Sequence, residues 1–167
     1  SAASDVYKRQ TVLSGIDIAL WDIKGKIANK PIYEILGGGP LRNQIEMYTH
    51  VQPGDPSYAA NQARELVSKG FKTIKLDPFQ PEMKQHHRRY IQGMISPKAA
   101  TLGQDTVAAI RESVGTEIEI LIDCHGNFNV PTAIKIAKML EPYNIGWLQE
   151  PLQPNSNEAL RQVTVSY

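Results

Sequence analysis

The sequence has little of what marks several protein classes. Its 167 residues include one cysteine, which excludes a disulfide framework and is typical of a reducing compartment, so we expect a cytoplasmic protein. Neither charge sign is in excess, with 18 Lys and Arg against 17 Asp and Glu, and this argues against a nucleic-acid partner. No apolar run reaches the ~20 residues that a bilayer-spanning helix needs, so no membrane partner is expected.

The two ends of the chain lack useful patterning. Residues 1–10 show neither helical nor strand periodicity, and we expect them and residues 165–167 to be a non-native leader and tail. Residues 11–40 form a separate region, in which apolar residues at helical spacing from Ile16 to Ile27 predict a helix that Pro31 ends. A short second helix, 32–36, precedes a Gly-Gly-Gly-Pro stretch, which we interpret as a helix end and linker because no Lys-Ser/Thr of a phosphate loop follows it.

Residues 41–164 repeat a strand-then-helix unit. Strands are predicted over 45–51, 72–76, 118–122 and 146–149, and helices over 57–70, 104–114, 131–140 and 155–163. Corresponding strand-end positions lie 26 (Thr49 to Lys75), 48 (Lys75 to Asp123) and 27 (Asp123 to Glu150) residues apart. The long second unit contains a polar loop over 79–102 with a His-His-Arg-Arg run at 86–89, interpreted as solvated. Such units predict an α/β fold with a parallel sheet, either doubly wound or a (β/α)8 barrel.

Ionisable residues follow the predicted strands, where both architectures gather functional groups. Because strand side chains alternate, Lys75 and Asp77 share one face, and so do Asp123 and His125. Two carboxylates on neighbouring strand ends, Asp123 and Glu150, suit a hard divalent cation such as Mg²⁺. An inward Lys75 would neutralise a substrate carboxylate, and His125 would serve as a general acid.

Each of these residues also has a structural interpretation. A single strand-end acid often caps the next helix, a lone histidine often bonds a loop carbonyl, and Lys75 could be a solvated charge. Cys124 should face the helices as a small core residue. His50 would line the pocket, but the alternation leaves open whether Met47 or Tyr48 faces inward beside it.

Five segments together resemble the mandelate racemase/muconate lactonizing enzyme subgroup of the enolase superfamily. They are the segments at 14–26, 36–40, 70–77, 122–127 and 147–151. The resemblance implies the terminal helices of an α+β capping domain over 11–40, followed over 41–164 by the first half of a (β/α)8 (modified TIM) barrel. It implies Asp123 and Glu150 as the first two Mg²⁺ ligands, with the third ligand and the opposite-face base absent from this chain.

The Asp-x-His pattern at Asp123 is similar to that of galactonate and mannonate dehydratase-like members. This implies a carbon–oxygen lyase in the intact parent, a homo-oligomer, which removes the α-proton of a sugar acid (an aldonate) to give an ene-diolate and then loses water to form a 2-keto-3-deoxy acid. His125 would be the general acid, with Lys75, Asp77 and His50 contacting substrate; many relatives carry a second lysine base where this chain has Asp77. A racemase or epimerase and a non-catalytic barrel-derived module remain alternatives, and the chain alone is expected to be inactive.

Overall fold

The computed structural model describes residues 2–37, 39, 42–52, 54–79, 93–154 and 156–166. The chain forms two compact units, Ser1–Glu46 and Met47–Tyr167. The run at 86–89 and most of the predicted loop over 79–102 lie outside the described residues, as do two residues of the glycine-rich linker. No helix in the described ranges is long and apolar enough to cross a membrane.

The first unit consists of two helices, α1 (Ala2–Ala28) and α2 (Ile32–Gly37). α1 begins at Ala2, although residues 2–10 show no helical periodicity in the sequence. This stretch has no apolar stripe, but it also has no glycine or proline, and extending an existing helix costs far less than nucleating one. α1 ends where Asn29 takes a left-handed conformation (φ 49°) two residues before Pro31.

In the part of the second unit that the structure describes, four parallel strands lie side by side in the order in which they occur along the chain. They are β1 (Thr49–His50), β2 (Thr73–Leu76), β3 (Glu119–Asp123) and β4 (Trp147–Gln149). Helices α3 (Pro56–Ser68), α4 (Pro97–Val114) and α5 (Val130–Leu140) connect them, and α6 (Asn157–Thr164) follows β4. A 3₁₀ turn, Glu141–Tyr143, follows α5. Parallel strands joined by helices confirm the predicted α/β fold class with a parallel sheet.

Each α-helix described in this unit starts at a capping residue. The side chains of Asp55, Ser96, Asn129 and Ser156 accept a hydrogen bond from a backbone N–H in the first helical turn. The Ser96-Pro97 pair therefore begins α4 seven residues before the predicted start at 104, so residues 97–102 of the predicted polar loop are helical. The internal Gly103 explains why the helix was predicted to start too late, since a glycine inside a helix resembles a helix boundary.

β1 is shorter than the predicted strand 45–51. The pairing of β1 with β2 covers Thr49 and His50, and a further bond runs from the Val51 N–H to the Lys75 carbonyl (2.9 Å). The Ile45 and Met47 side chains are exposed, so this segment resembles a strand in composition without being one.

The hydrophobic core lies between the sheet and its helices. Strand residues of one parity enter it, as predicted from their alternation: Ile74, Leu76, Ile120, Ile122 and Cys124. Their helical partners include Ala59, Ala63, Val107, Ile110, Ile136 and Leu140. Leu121 is buried but outside this cluster, which places it with Lys75 and Asp123 on the opposite face of the sheet.

Arg111 donates hydrogen bonds to backbone carbonyls around the amino end of β3. Its guanidinium donates to the carbonyls of Tyr143, Gly115, Ile118 and Asn144, at 2.6 to 3.1 Å. The group is partly buried, and the loss of hydration lowers the pKa of Arg111 below its usual value. It therefore holds the end of the sheet opposite to the predicted site.

Candidate active site

Lys75 and Asp123 form a buried ion pair at the carboxyl ends of β2 and β3. The Lys75 Nζ lies 2.7 Å from the Asp123 Oδ2, and the two side chains are 6% and 11% exposed. Their proximity follows from the strand register, which places Lys75 opposite Leu121 and so brings Asp123 two residues further along the same face. The interpretation of Lys75 as a charge in open water is excluded by its burial.

Asp123 is held in its ionised form. Burial favours the neutral acid, but the Lys75 ammonium and the His125 backbone N–H, which donates to Oδ1 (3.1 Å), favour the carboxylate. The second group of effects prevails, and the pKa of Asp123 lies below its ordinary value. A charged carboxylate at neutral pH is the form that a divalent cation requires.

The His125 side chain is bonded to Asp77 across the same two strands. The His125 Nδ1 lies 2.8 Å from the Asp77 Oδ2, while the Asp77 Oδ1 accepts a bond from the Phe79 N–H (3.0 Å). The Asp123 Oδ1 is farther from Nδ1, at 3.7 Å. Burial raises the pKa of Asp77, and the bonds from Phe79 and His125 offset part of that increase.

Backbone hydrogen bonds continue beyond the ends of β3 and β4 and fix the two predicted metal ligands. The Cys124 N–H donates to the Gln149 carbonyl (2.9 Å), and the Gly126 N–H donates to the Glu150 carbonyl (2.7 Å). His125 and Glu150 both have left-handed backbones, with φ of 51° and 43°. Such conformations are strained for residues with a Cβ and cluster at functional sites.

Glu150 has its carboxylate exposed and lies one residue beyond Gln149, the register partner of Asp123. Asp123 and Glu150 thus offer hard oxygen donors from adjacent strand ends, a donor set that fits Mg²⁺. Within the described ranges, no group of three or more His, Cys, Asp or Glu side chains is placed to hold a metal ion.

His50 lies at the edge of this cluster and is exposed. Its ring meets the Tyr48 ring edge-on with centroids 5.5 Å apart, and the Lys75 Nζ is 5.6 Å from the centre of the Tyr48 ring. Tyr48, not Met47, therefore accompanies His50 on the face of Lys75. Its position two residues before His50 was the available sequence signal.

Cys124 points away from this cluster into the core, where it is 1% exposed. Burial, with a contribution from the negative charges of Asp77 and Asp123, raises the pKa of the thiol well above its ordinary value. It is a core residue, as predicted, and not a nucleophile.

Comparison with known families shows which family the chain belongs to. The Enolase C-terminal domain-like family model matches residues 58–167, and the mandelate racemase/muconate lactonizing enzyme N-terminal domain model matches residues 2–37. The chain belongs to the enolase superfamily. The second match includes residues 2–10, which show no periodicity in the sequence.

Two curated relatives and two crystal structures illustrate this superfamily membership. The chain is 36% identical over 159 residues to a D-gluconate dehydratase of Thermoproteus tenax and 38% identical over 143 residues to a D-galactonate dehydratase of Klebsiella pneumoniae. These alignments cover 93% and 85% of the chain but 30% and 35% of the relatives, so the chain spans about a third of their length.

Two solved structures of similar proteins superimpose on the chain. An enolase superfamily member from Salmonella Typhimurium superimposes with a TM-score of 0.80 at 33% identity, covering 91% of the chain and 42% of that structure. A mandelate racemase/muconate lactonizing enzyme-like protein from Rubrobacter xylanophilus gives 0.76 at 34% identity, covering 89% and 41%.

Proposed function

We propose that the full-length protein carrying this chain is a Mg²⁺-dependent sugar-acid dehydratase. The observation that carries the proposal is the cluster of Lys75, Asp123 and His125 at the carboxyl ends of two neighbouring parallel strands. Relatives named as gluconate and galactonate dehydratases support an aldonate substrate.

Asp123 and Glu150 would hold the metal together with ligands from outside this chain. Bound Mg²⁺ would supply positive charge that stabilises the substrate carboxylate as its α-carbon loses a proton. Lys75 adds a second positive charge beside it and fixes the orientation of the Asp123 carboxylate through their 2.7 Å contact. These charges act mainly after the α-proton has left, which is where binding energy accelerates a reaction.

His125 would act on the leaving group. The imidazolium form of its ring donates the Nε2 proton to the β-hydroxyl and becomes neutral, the carbon–oxygen bond breaks with its electron pair on oxygen, and water departs. The resulting enol gains a proton at the β-carbon and becomes the 2-keto-3-deoxy acid. The ring is 51% exposed, so a substrate can reach it. No residue of this chain is assigned as the base that takes the α-proton.

The reaction is tested by incubating the full-length protein and Mg²⁺ with a panel of aldonates in D₂O. Keto acid formed from at least one aldonate, and lost in His125→Gln, supports the proposal. Deuterium at the α-carbon with no keto acid from any member of the panel would instead favour a racemase or epimerase. Glu119→Gln makes a matched carboxylate-to-amide change at the opposite end of β3 and should leave the rate unchanged.

The metal ligands are tested separately by titration calorimetry with Mg²⁺. Asp123→Asn and Glu150→Gln should each weaken binding at least tenfold, and Glu119→Gln should not. Unchanged Mg²⁺ affinity in both variants would refute the enzyme proposal and favour a non-catalytic module. Glu150→Gln is the cleaner change, because its exposed carboxylate has no partner among the described side chains whose loss would disturb the fold.

A further inference from the structure

We infer that Asp77 is a positioning residue that fixes the His125 ring and leaves its Nε2 to face the substrate. This inference rests on the proposed function and replaces the expectation that Asp77 contacts substrate.

Both carboxylate oxygens of Asp77 are already used within the protein. The Oδ1 accepts the Phe79 N–H at 3.0 Å, and the Oδ2 lies 2.8 Å from the His125 Nδ1. The side chain is 6% exposed. So little of Asp77 is exposed that it offers a substrate almost no surface, whereas the half-exposed ring of His125 is open to it.

The bond to Asp77 also determines which ring nitrogen remains available. A carboxylate accepts hydrogen bonds and does not donate them, so the Nδ1 must carry the proton in this contact. The other oxygen near Nδ1, the Oδ1 of Asp123, is 3.7 Å away and already accepts the His125 N–H. Nε2 is therefore the nitrogen that exchanges a proton with a substrate hydroxyl.

The support for Asp77 extends into the core. Phe79, whose N–H holds the Asp77 Oδ1, is 1% exposed, and its ring packs edge-on against Phe128 with centroids 5.5 Å apart. A packed residue thus anchors the carboxylate, and the carboxylate anchors an imidazole that is otherwise half in solvent. A positioned proton donor loses less freedom on reaching the transition state.

The test uses Asp77→Asn in the full-length protein, with Glu119→Gln as the matched control. An asparagine whose oxygen keeps the Phe79 bond presents its NH₂ to Nδ1. This favours the opposite neutral tautomer and disfavours the imidazolium, the form that donates a proton through Nε2, because two N–H donors would then face each other. We expect kcat for the sugar acid that proves to be a substrate to fall about 10–100-fold, the usual range for residues that orient active-site groups, with KM changed less than about threefold. A raised KM at unchanged kcat would mean that Asp77 binds substrate and would overturn the inference.

Nitrogen-15 NMR of histidine-labelled protein gives a readout independent of turnover. The chain has four histidines, and the His125 signal is assigned by its loss in His125→Gln. With the ring neutral, His125 should carry its proton on Nδ1, and Asp77→Asn should move it to Nε2. An Nε2 proton in the unsubstituted protein overturns the inference even if Asp77→Asn does not fold. An Nδ1 proton without any dehydration would keep the inference about the ring and refute the proposed function instead.

Discussion

Replacing Lys75 by methionine tests the buried ion pair most directly. At 2.7 Å, and with an effective dielectric constant of ~20, the Coulomb attraction between Lys75 and Asp123 is about 6 kcal/mol before desolvation is subtracted. Methionine fills much of the lysine volume, so the change removes the charge and leaves Asp123 buried without its partner. Breaking one partner of such a pair costs about 3–5 kcal/mol, and we expect the free energy of unfolding to fall by that amount at pH 7.

The loss of stability caused by Lys75→Met should become smaller as the pH falls. In the unsubstituted chain the native pKa of Asp123 is below its ordinary value, so its carboxylate contributes stability above the unfolded pKa, and this contribution disappears as pH falls through the native pKa. Without Lys75, burial dominates and the native pKa of Asp123 rises. The variant then regains stability as acid protonates Asp123, and the difference between the two proteins should narrow from pH 7 to pH 4.

Urea unfolding of the chain followed by circular dichroism measures both effects. Lys75→Met with Asp123→Asn completes a double-mutant cycle, and the double variant should be more stable than the sum of the two single losses implies. Glu119→Gln serves as a carboxylate control on the same strand, with a loss below about 0.5 kcal/mol. A loss below about 1 kcal/mol in Lys75→Met, or one that does not change with pH, would show that the pair is solvated and would refute the reasoning.

Three further predictions concern residues outside the ion pair. Arg111→Met should lower the free energy of unfolding by ~2–3 kcal/mol in the same urea assay, because four carbonyls lose a charged donor. Gly103→Ala should lose ~1–2 kcal/mol despite the better helix propensity of alanine, because the new Cβ would collide with the buried Phe79 ring; a gain in stability would contradict this packing. Cys124 should not react with Ellman's reagent at pH 8 until denaturant is added, and rapid labelling of the native chain would contradict its burial.

Local chemistry explains why much of the fold could be predicted from the sequence. Alternation along β2 and β3 placed Lys75 and Asp123 on one face and Ile74 and Ile122 on the other, and the core contains the second set. Two elements, α4 and β1, differ from the predicted ones. At both, the local sequence pattern disagrees with the structure that the neighbouring residues form. Ser96-Pro97 starts α4 upstream of an internal glycine, and β1 pairs over two residues because neighbouring apolar side chains remain exposed.

Partners within the site could not be predicted in the same way. Alternation says which face a side chain occupies, but not which of several neighbours it bonds. The bond between Asp77 and His125 joins residues 48 apart, so it depends on the register between two strands and on the left-handed turn at His125. Neither quantity is encoded in a local pattern. The bond between Asp77 and His125 was therefore not predicted, and Tyr48 was left undecided.

The order of charges on the two strands accounts for the pairing as a whole. Lys-x-Asp spans the end of β2 and Asp-x-His the end of β3. Each side chain bonds the one 48 residues away, so Lys75 pairs with Asp123 and Asp77 with His125. A lysine at position 77 would place a cation beside the imidazole and remove the acceptor of its Nδ1–H. The aspartate at position 77 and the histidine at position 125 therefore depend on each other. In a double-mutant cycle, Asp77→Asn should lower the activity less when His125 is already replaced than it does in the unsubstituted protein.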